Sequence, residues 1–176
     1  MSLLNIPTLE NATGEVKDIF EEIQSTFGMV PNGIRQWSAS PKSLKMQWDK
    51  IKTVMSKDKG EQKLYAIIRY LASGENNCEY CIGFNGSMLI NNYGINHAEL
   101  MAMQSDPSTA SLDEKNKALL LFAMKAIKNA DSIDSDDISA LKQLDISEEN
   151  MFDIVQAASH MYVVNTIFKT FKVEND

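Results

Sequence analysis

Ser73–Ser87 reads SGENNCEYCIGFNGS and holds both cysteines of the 176-residue chain, Cys78 and Cys81, in a C-x-x-C spacing. The polar, glycine-containing SGENN stops one helical pattern. A second pattern begins at Asn77 or Cys78 and runs to about Asn92, with Gly94 just past its end. The two cysteines therefore stand at the start of a helix, one turn apart on one face. Whether they form a redox pair, half of a metal site or two small apolar residues depends on what surrounds them.

Outward from this stretch the periodicity is helical nearly throughout. Val16, Ile19, Phe20, Ile23 and Phe27 fall on one helix face, with Thr13 placed to cap its start and Gly28 to end it. MVPNG at Met29–Gly33 reads as a turn with Pro31 and Gly33 as breakers. Ser40 before Pro41 gives a cap and a proline at the first helical position. Leu44, Trp48, Ile51 and Met55 make the next stripe, SKDKG is a solvated loop, and Leu64, Ile67, Ile68 and Leu71 mark the helix that SGENN stops. Beyond Gly94, Asn96 with Glu99 predicts a capping box, Ser111 with Glu114 opens a further helix, Asp134 or Ser135 caps one through Leu144, and Ser147 caps the last. No strand alternation, repeat or low-complexity tract interrupts this pattern. The expected fold is all-α: a single domain over residues 1–176, about eight helices with short connections, and the C-x-x-C at the start of a central helix.

The last helix carries two apolar stripes. Met151, Ile154, Val155, Ala158, Tyr162 and Asn165 share one side, and His160, Val164, Ile167 and Phe171 share the opposite one. A helix apolar on two sides is expected to be buried on two sides, as a central helix or one shared with a second subunit.

Composition limits the partners. The chain is 44 % hydrophobic and 23 % charged, with a net charge of −7 and only two arginines, Arg35 and Arg69. An acidic chain without a basic cluster disfavours nucleic acid and anionic membrane. No glycine-rich phosphate loop is present, and no apolar run approaches the roughly 20 residues that cross a bilayer. The first residues show no basic segment followed by an apolar core, so a cytoplasmic location is expected. In that compartment paired cysteines point to catalysis, redox sensing or metal binding more than to a structural staple.

At a helix start, unpaired amides and the positive dipole end stabilise a thiolate, the species that attacks peroxides and disulfides. Gly74 and the polar ENN are expected to leave the pair accessible, and an adjacent resolving thiol lets a sulfenic acid condense to a disulfide. The alternatives are inert burial and zinc. A zinc site would need Cys78, Cys81, His97 and His160, and the spacing C-x2-C-x15-H-x62-H matches no zinc-finger pattern. Spacing favours the redox pair and leaves the other two open.

Three stretches, FGMVPNGIRQWSASPKSL, ASGENNCEYCIGFNGSML and AASHMYVVNTIFKTFKVEND, resemble the carboxymuconolactone decarboxylase superfamily, and within it the alkyl hydroperoxidase D-like, peroxidase-related branch. The likeness runs from about Ile6 to Glu174. It implies a helical fold, assembly into homo-trimers or homo-hexamers, and thiol-dependent peroxidase or disulfide oxidoreductase activity with an antioxidant role. It also implies that Cys81 is the peroxidatic cysteine and Cys78 the more exposed resolving one. The helix dipole taken alone favours Cys78 as the more acidic thiol. Tyr80 fits the family pattern between the cysteines. The family relay, a glutamate twelve residues before the first cysteine and a histidine four after the second, is replaced by Ala66 and Asn85.

Candidates for a relocated relay are Glu75, three residues before Cys78, and His160; His97, at the start of a short capped helix, is expected to be exposed. Asn85 and Tyr80 can donate hydrogen bonds to a thiolate or sulfenate. Trp37, Trp48 and Phe84 are candidates for a pocket lining or for core. The expected substrate is an organic hydroperoxide or another small molecule, the reductant a dithiol or thioredoxin-like protein, and no bound cofactor or metal is required. The alternative is a redox-weak or non-redox member that binds a small molecule, favoured by the loss of both relay groups.

Overall fold

The structure is a computed structural model that describes residues 2–176. Among these residues all regular structure is helical, with nine α-helices and three short 3-10 turns. The chain divides into two compact units: residues up to Lys57 with Ile167–Asp176, and Asp58–Thr166.

The first unit contains α1 (Gly14–Phe27), α2 (Asn32–Gln36) and α3 (Pro41–Met55). Phe20, Ile23 and Leu44 are wholly buried and pack with Ile19, Ala12 and Trp48 where α1 meets α3. The expected apolar stripes are thus the core of this unit. Gly28 ends α1 in the left-handed conformation, φ 78°, which glycine adopts without strain. Thr13 is at the cap position but its side chain makes no capping bond. Ser40 does cap α3, accepting from the Ser43 amide at 3.4 Å. MVPNG is not simply a turn. Pro31 takes the position before α2, where its fixed φ suits a helix start, and Gly33 lies inside that helix. The two ends of the chain meet here: the Asn32 amide donates to Asp176 Oδ1 at 2.6 Å and the Leu3 amide to the Phe171 carbonyl at 2.9 Å.

The second unit contains α4 (Lys59–Glu75), α5 (Glu79–Tyr93), α6 (His97–Ser105), α7 (Glu114–Lys128), α8 (Ser135–Gln143) and most of α9 (Glu148–Thr170). Asp58, in the segment read as a loop, caps α4 by accepting from the Gly60 and Glu61 amides. α4 packs against α5, α6 and α7. Leu64–Ile68 and Tyr70–Ser73 are continuously buried, so α4 is the enclosed helix and α5 lies against it. At Gly86 of α5 an added Cβ would stand 3.5 Å from the Tyr70 ring and 3.6 Å from Leu100, which marks how closely these helices approach. The expected Asn96–Glu99 capping box is formed, as is one between Asp134 and Asp137. α7 begins later than expected: Asp113, not Ser111, is its cap and accepts from the Asn116 amide at 3.0 Å.

The two stripes expected on α9 are replaced by one broad buried arc. Met151, Ile154, Ala158, Met161, Val164, Asn165 and Phe168 are buried, and Met161 and Phe168 join the stripes through the sector between them. His160, Ile167 and Phe171 are half-buried at the edge of this arc, while Phe152, Tyr162 and Val163 are exposed. Periodicity placed the apolar residues at the edges and missed the methionine and phenylalanine that bridge them. Phe20→Ala is expected to cost about 3–5 kcal/mol in urea unfolding, because its ring fills the α1–α3 contact and leaves a cavity when removed.

Candidate active site

The turn between α4 and α5 sets the cysteines in place. The Asn76, Asn77 and Cys78 amides donate back to the Ala72, Gly74 and Ser73 carbonyls at 3.3, 3.0 and 3.1 Å, closing α4. Asn77 adopts φ 49°, a left-handed conformation that asparagine tolerates better than most residues. Behind the turn lies a buried polar chain. Asn76 Nδ2 donates to Asn165 Oδ1 at 3.1 Å, Asn165 Nδ2 donates to Ser73 Oγ at 3.3 Å, and Ser73 Oγ donates to the Arg69 carbonyl at 2.6 Å.

Cys78 is the N-cap residue of α5, and Cys81 is the third residue of its first turn. Their sulfurs are joined in a disulfide with a Cα–Cα distance of 5.3 Å. The expected accessibility is not found: Cys78 is 1 % and Cys81 2 % exposed, so Cys78 is not the more open of the two. The turn folds back on α4 through the Asn76, Asn77 and Cys78 amides, and the sulfurs stay buried although Glu75 and Asn77 face solvent. Tyr80 is also buried and stacks on Phe84, with ring centroids 5.9 Å apart.

Ala66 and Asn85 are both buried. Asn85 lies one turn beyond Cys81. Its Nδ2 donates to the Cys81 carbonyl at 2.8 Å, and its Oδ1 accepts from Arg69 Nε at 3.2 Å. Arg69 is on α4, one turn beyond Ala66, and is half-buried. Burial pushes its pKa down, and the field of the Tyr93 phenol acts in the opposite direction. Burial raises the Tyr93 phenol, with the Arg69 charge opposing, and raises Tyr70 as well. Sequence analysis did not single out Arg69. A mid-helix arginine reads as a solvated position, and its pairing with Asn85 crosses between helices, which spacing along one helix does not reveal. Its position one turn from Ala66 was the available signal.

Of the relay candidates, Glu75 is bound by Lys128 of α7 at 2.8 Å and lines an open cavity of about 300 Å³ with Leu71, Gly74, Gln104, Pro107 and Met124. His160 is half-buried on α9, and His97 is exposed at the start of α6. Among the described residues no three histidine, cysteine, aspartate or glutamate side chains converge to hold a metal, so the four residues weighed as zinc ligands are not brought together. Trp48 is a core residue of the first unit, its Nε1–H donating to Glu22 at 2.7 Å, and Trp37 meets Phe168 edge-on there. Phe84 is the one aromatic of those three that belongs to the cysteine helix.

No protein-family model matches the chain, and no curated protein matches it in sequence. Solved structures do match its fold. An uncharacterized peroxidase-related protein from Ralstonia eutropha JMP134, described as an alkylhydroperoxidase AhpD core, superposes with a TM-score of 0.82 at 22 % identity, covering 99 % of this chain and 92 % of that one. An uncharacterized peroxidase-related protein from Silicibacter sp. TM1040 gives 0.82 at 19 % identity over the same shares. The debrominase Bmp8, as a cysteine-to-alanine variant in complex with 2,3,4-tribromopyrrole, gives 0.73 at 18 % identity, covering 100 % of this chain and 94 % of that one. The fold is that of the alkylhydroperoxidase D core, in agreement with the resemblance read from the sequence. On it this chain carries a buried C-x-x-C disulfide at a helix start.

Asn165→Ala removes the middle of the polar chain behind the turn. The expected outcome is a loss of about 1–3 kcal/mol in denaturant unfolding, accompanied by faster reduction of the disulfide by dithiothreitol as the Ser73–Cys78 turn loosens.

Proposed function

We propose that the protein is a thiol–disulfide oxidoreductase that reduces organic hydroperoxides or related small electrophiles. The observation that carries this is the Cys78–Cys81 disulfide in the first turn of α5, in a fold shared with peroxidase-related proteins. Both sulfurs lie where unpaired helix amides favour a thiolate once the disulfide is reduced. In the cycle, Cys81 thiolate attacks a peroxide oxygen and becomes a sulfenic acid, and the released alkoxide takes up a proton to leave as the alcohol. Cys78 then attacks the sulfenic sulfur and expels water, forming the disulfide. An external dithiol or thioredoxin-like protein supplies two electrons and two protons to reset the pair. Both sulfurs are buried, so a reductant reaches them only after local opening of the site. Assembly into trimers or hexamers and a cytoplasmic setting belong to this proposal. Among the described residues no helix is long and apolar enough to cross a membrane.

A second reading is specifically motivated. Ala66 is an apolar methyl and Asn85 is an amide spent on Arg69 and the Cys81 carbonyl, so neither position supplies a proton at neutral pH. A member with weak peroxide turnover, using its site to bind a different small molecule, follows from that. One neighbour in fold is described as a debrominase and was solved in complex with 2,3,4-tribromopyrrole.

The deciding measurements are intact mass and hydroperoxide consumption. The oxidised protein is expected to gain two protons in mass on reduction and return to its starting mass with one equivalent of cumene hydroperoxide. Cys81→Ser is expected to abolish consumption with dithiothreitol as reductant; turnover that survives this change assigns the attack to another residue. A protein that cycles between dithiol and disulfide but leaves hydroperoxide untouched supports the second reading. Glu75→Ala and His160→Ala divide the relay question: if either group moves the proton, its removal lowers the rate and deletes one limb of the pH profile.

A further inference from the structure

We propose that Arg69 is the electrostatic partner of Cys81: a fixed positive charge, positioned by Asn85, that stabilises the Cys81 thiolate of the reduced protein. This rests on the dithiol reading of the pair, not on peroxide as its substrate.

The starting observation is an arginine without an anion. Elsewhere in this unit Lys125, Lys128 and Lys142 each hold a carboxylate, from Asp137, Glu75 and Glu148. Among the described residues no carboxylate pairs with Arg69, although it is half-buried. A cation withdrawn from water without a counter-ion is costly, and structures normally compensate for it. Its Nε is taken by Asn85 Oδ1, and the Nδ2 of the same amide is bonded to the Cys81 carbonyl. The guanidinium is therefore two hydrogen bonds from the backbone carbonyl of Cys81, and both ends of the connecting amide are engaged. Nε donation to Asn85 leaves the two Nη groups for an anion.

Among the described residues no acidic group of the surrounding helices is bonded to Arg69. Tyr70, Tyr80 and Tyr93 are phenols that stay neutral at pH 7, and burial raises Tyr70 and Tyr93 further. Glu75 is held by Lys128 of α7, and Glu99 of α6 is spent on its own capping box. Glu79, at the first position of α5, is exposed to solvent. His160 on α9 brings a cation, not an anion, when it titrates. That leaves the cysteines. In the disulfide they carry no charge, and Arg69 stands without its anion. Reduction adds two electrons and two protons from an external dithiol and yields two thiols. Cys81 then releases its proton to water and becomes the counter-ion that Arg69 lacks.

Two consequences follow. The Cys81 thiol has a pKa below the ordinary 8.5 or so. The reduced state gains a charge interaction that the disulfide lacks, so the pair is more oxidising than it would be without Arg69. Neither arginine nor asparagine titrates near neutrality, so this device, unlike a carboxylate–imidazole relay, adds no second ionisation to the reactivity of the thiol.

The test is the pH dependence of iodoacetamide alkylation of reduced, full-length protein in a Cys78→Ser background, read by intact mass so that only Cys81 reports. A single ionisation below about 8.5 is expected. Arg69→Met is expected to raise it, slowing alkylation at acid pH about tenfold for each unit of the rise. Arg69→Lys should retain most of the depression. Asn85→Asp places a carboxylate against the guanidinium and should raise the thiol pKa with little change in shape, which keeps the proposal testable if Arg69→Met fails to fold. A Cys81 pKa at or above 8.5 in the parent protein, or an unchanged value in Arg69→Met or Asn85→Asp, overturns the proposal. So does a second ionisation in the imidazole range that disappears in His160→Ala. Alkylation involves no peroxide, so failure of the peroxidase reading leaves this result standing.

Discussion

Everything at this site depends on the reversal from α4 to α5. Cys78 donates its amide to the Ser73 carbonyl, Asn77 crosses into left-handed space, and Asn165 reaches from α9 to hold Ser73 and Asn76 from behind. Where a turn is tied into the interior at both ends, as here at Ser73 and Cys78, the backbone groups it withdraws from water must find partners inside the protein. Here asparagine amides and a serine hydroxyl supply those partners. The reason for two consecutive asparagines before the cysteines is then physical. Asn76 satisfies the end of α4 and contacts α9, and Asn77 accepts a backbone conformation that a branched residue would resist.

That turn also places both sulfurs at the same end of α5. Taken along the sequence, the helix dipole favours Cys78, being nearer the end. In the structure Cys78 is the cap and Cys81 is three residues on, so both lie within the first turn, where the dipole and unpaired amides act. The dipole does not separate them. What separates them is the second helix: Cys81 is connected through Asn85 to Arg69, whereas Cys78 is tied to the backbone of Ser73. The difference between the cysteines is a matter of tertiary packing between α4 and α5 rather than of position along α5.

The same distinction explains what could be read from the sequence. Caps and stops are local chemistry, so Gly28, Ser40, Asn96 with Glu99, and Asp134 all do what their types suggest. The cysteine pair and its helix start are local too. Where two local signals compete, sequence alone chose less well. Pro31 and Gly33 read as breakers although proline also suits the start of α2, and Ser111 reads as the cap of α7 where Asp113 fills that place. The buried arc of α9 was divided in two because Met161 and Phe168 were left out of both stripes, although each lies between them on the helical wheel. Non-local features were least legible. The burial of Cys78, the Glu75–Lys128 pair and the Arg69–Asn85 contact all join different helices, and no spacing within one helix encodes them.

Against the family pattern that the sequence resembles, Ala66 puts a methyl where the pattern has a carboxylate and Asn85 an amide where it has an imidazole. Together with Arg69 they form a coherent exchange. An imidazole at position 85 would need an acceptor such as a glutamate to fix its tautomer, and that glutamate buried without the imidazole would be an unpaired charge. Removing both avoids that cost. An amide at 85 instead offers an acceptor to a guanidinium and a donor to the helix backbone, which is how Asn85 is used. A charge carried by Arg69, unlike one on an imidazole, does not come and go with pH near neutrality. What such an arrangement gives up is a proton to hand to a leaving group. The thiolate–cation arrangement proposed for Cys81 and Arg69 suits reactions whose leaving group needs little protonation, and it places the burden of any demanding proton transfer on groups outside this cluster.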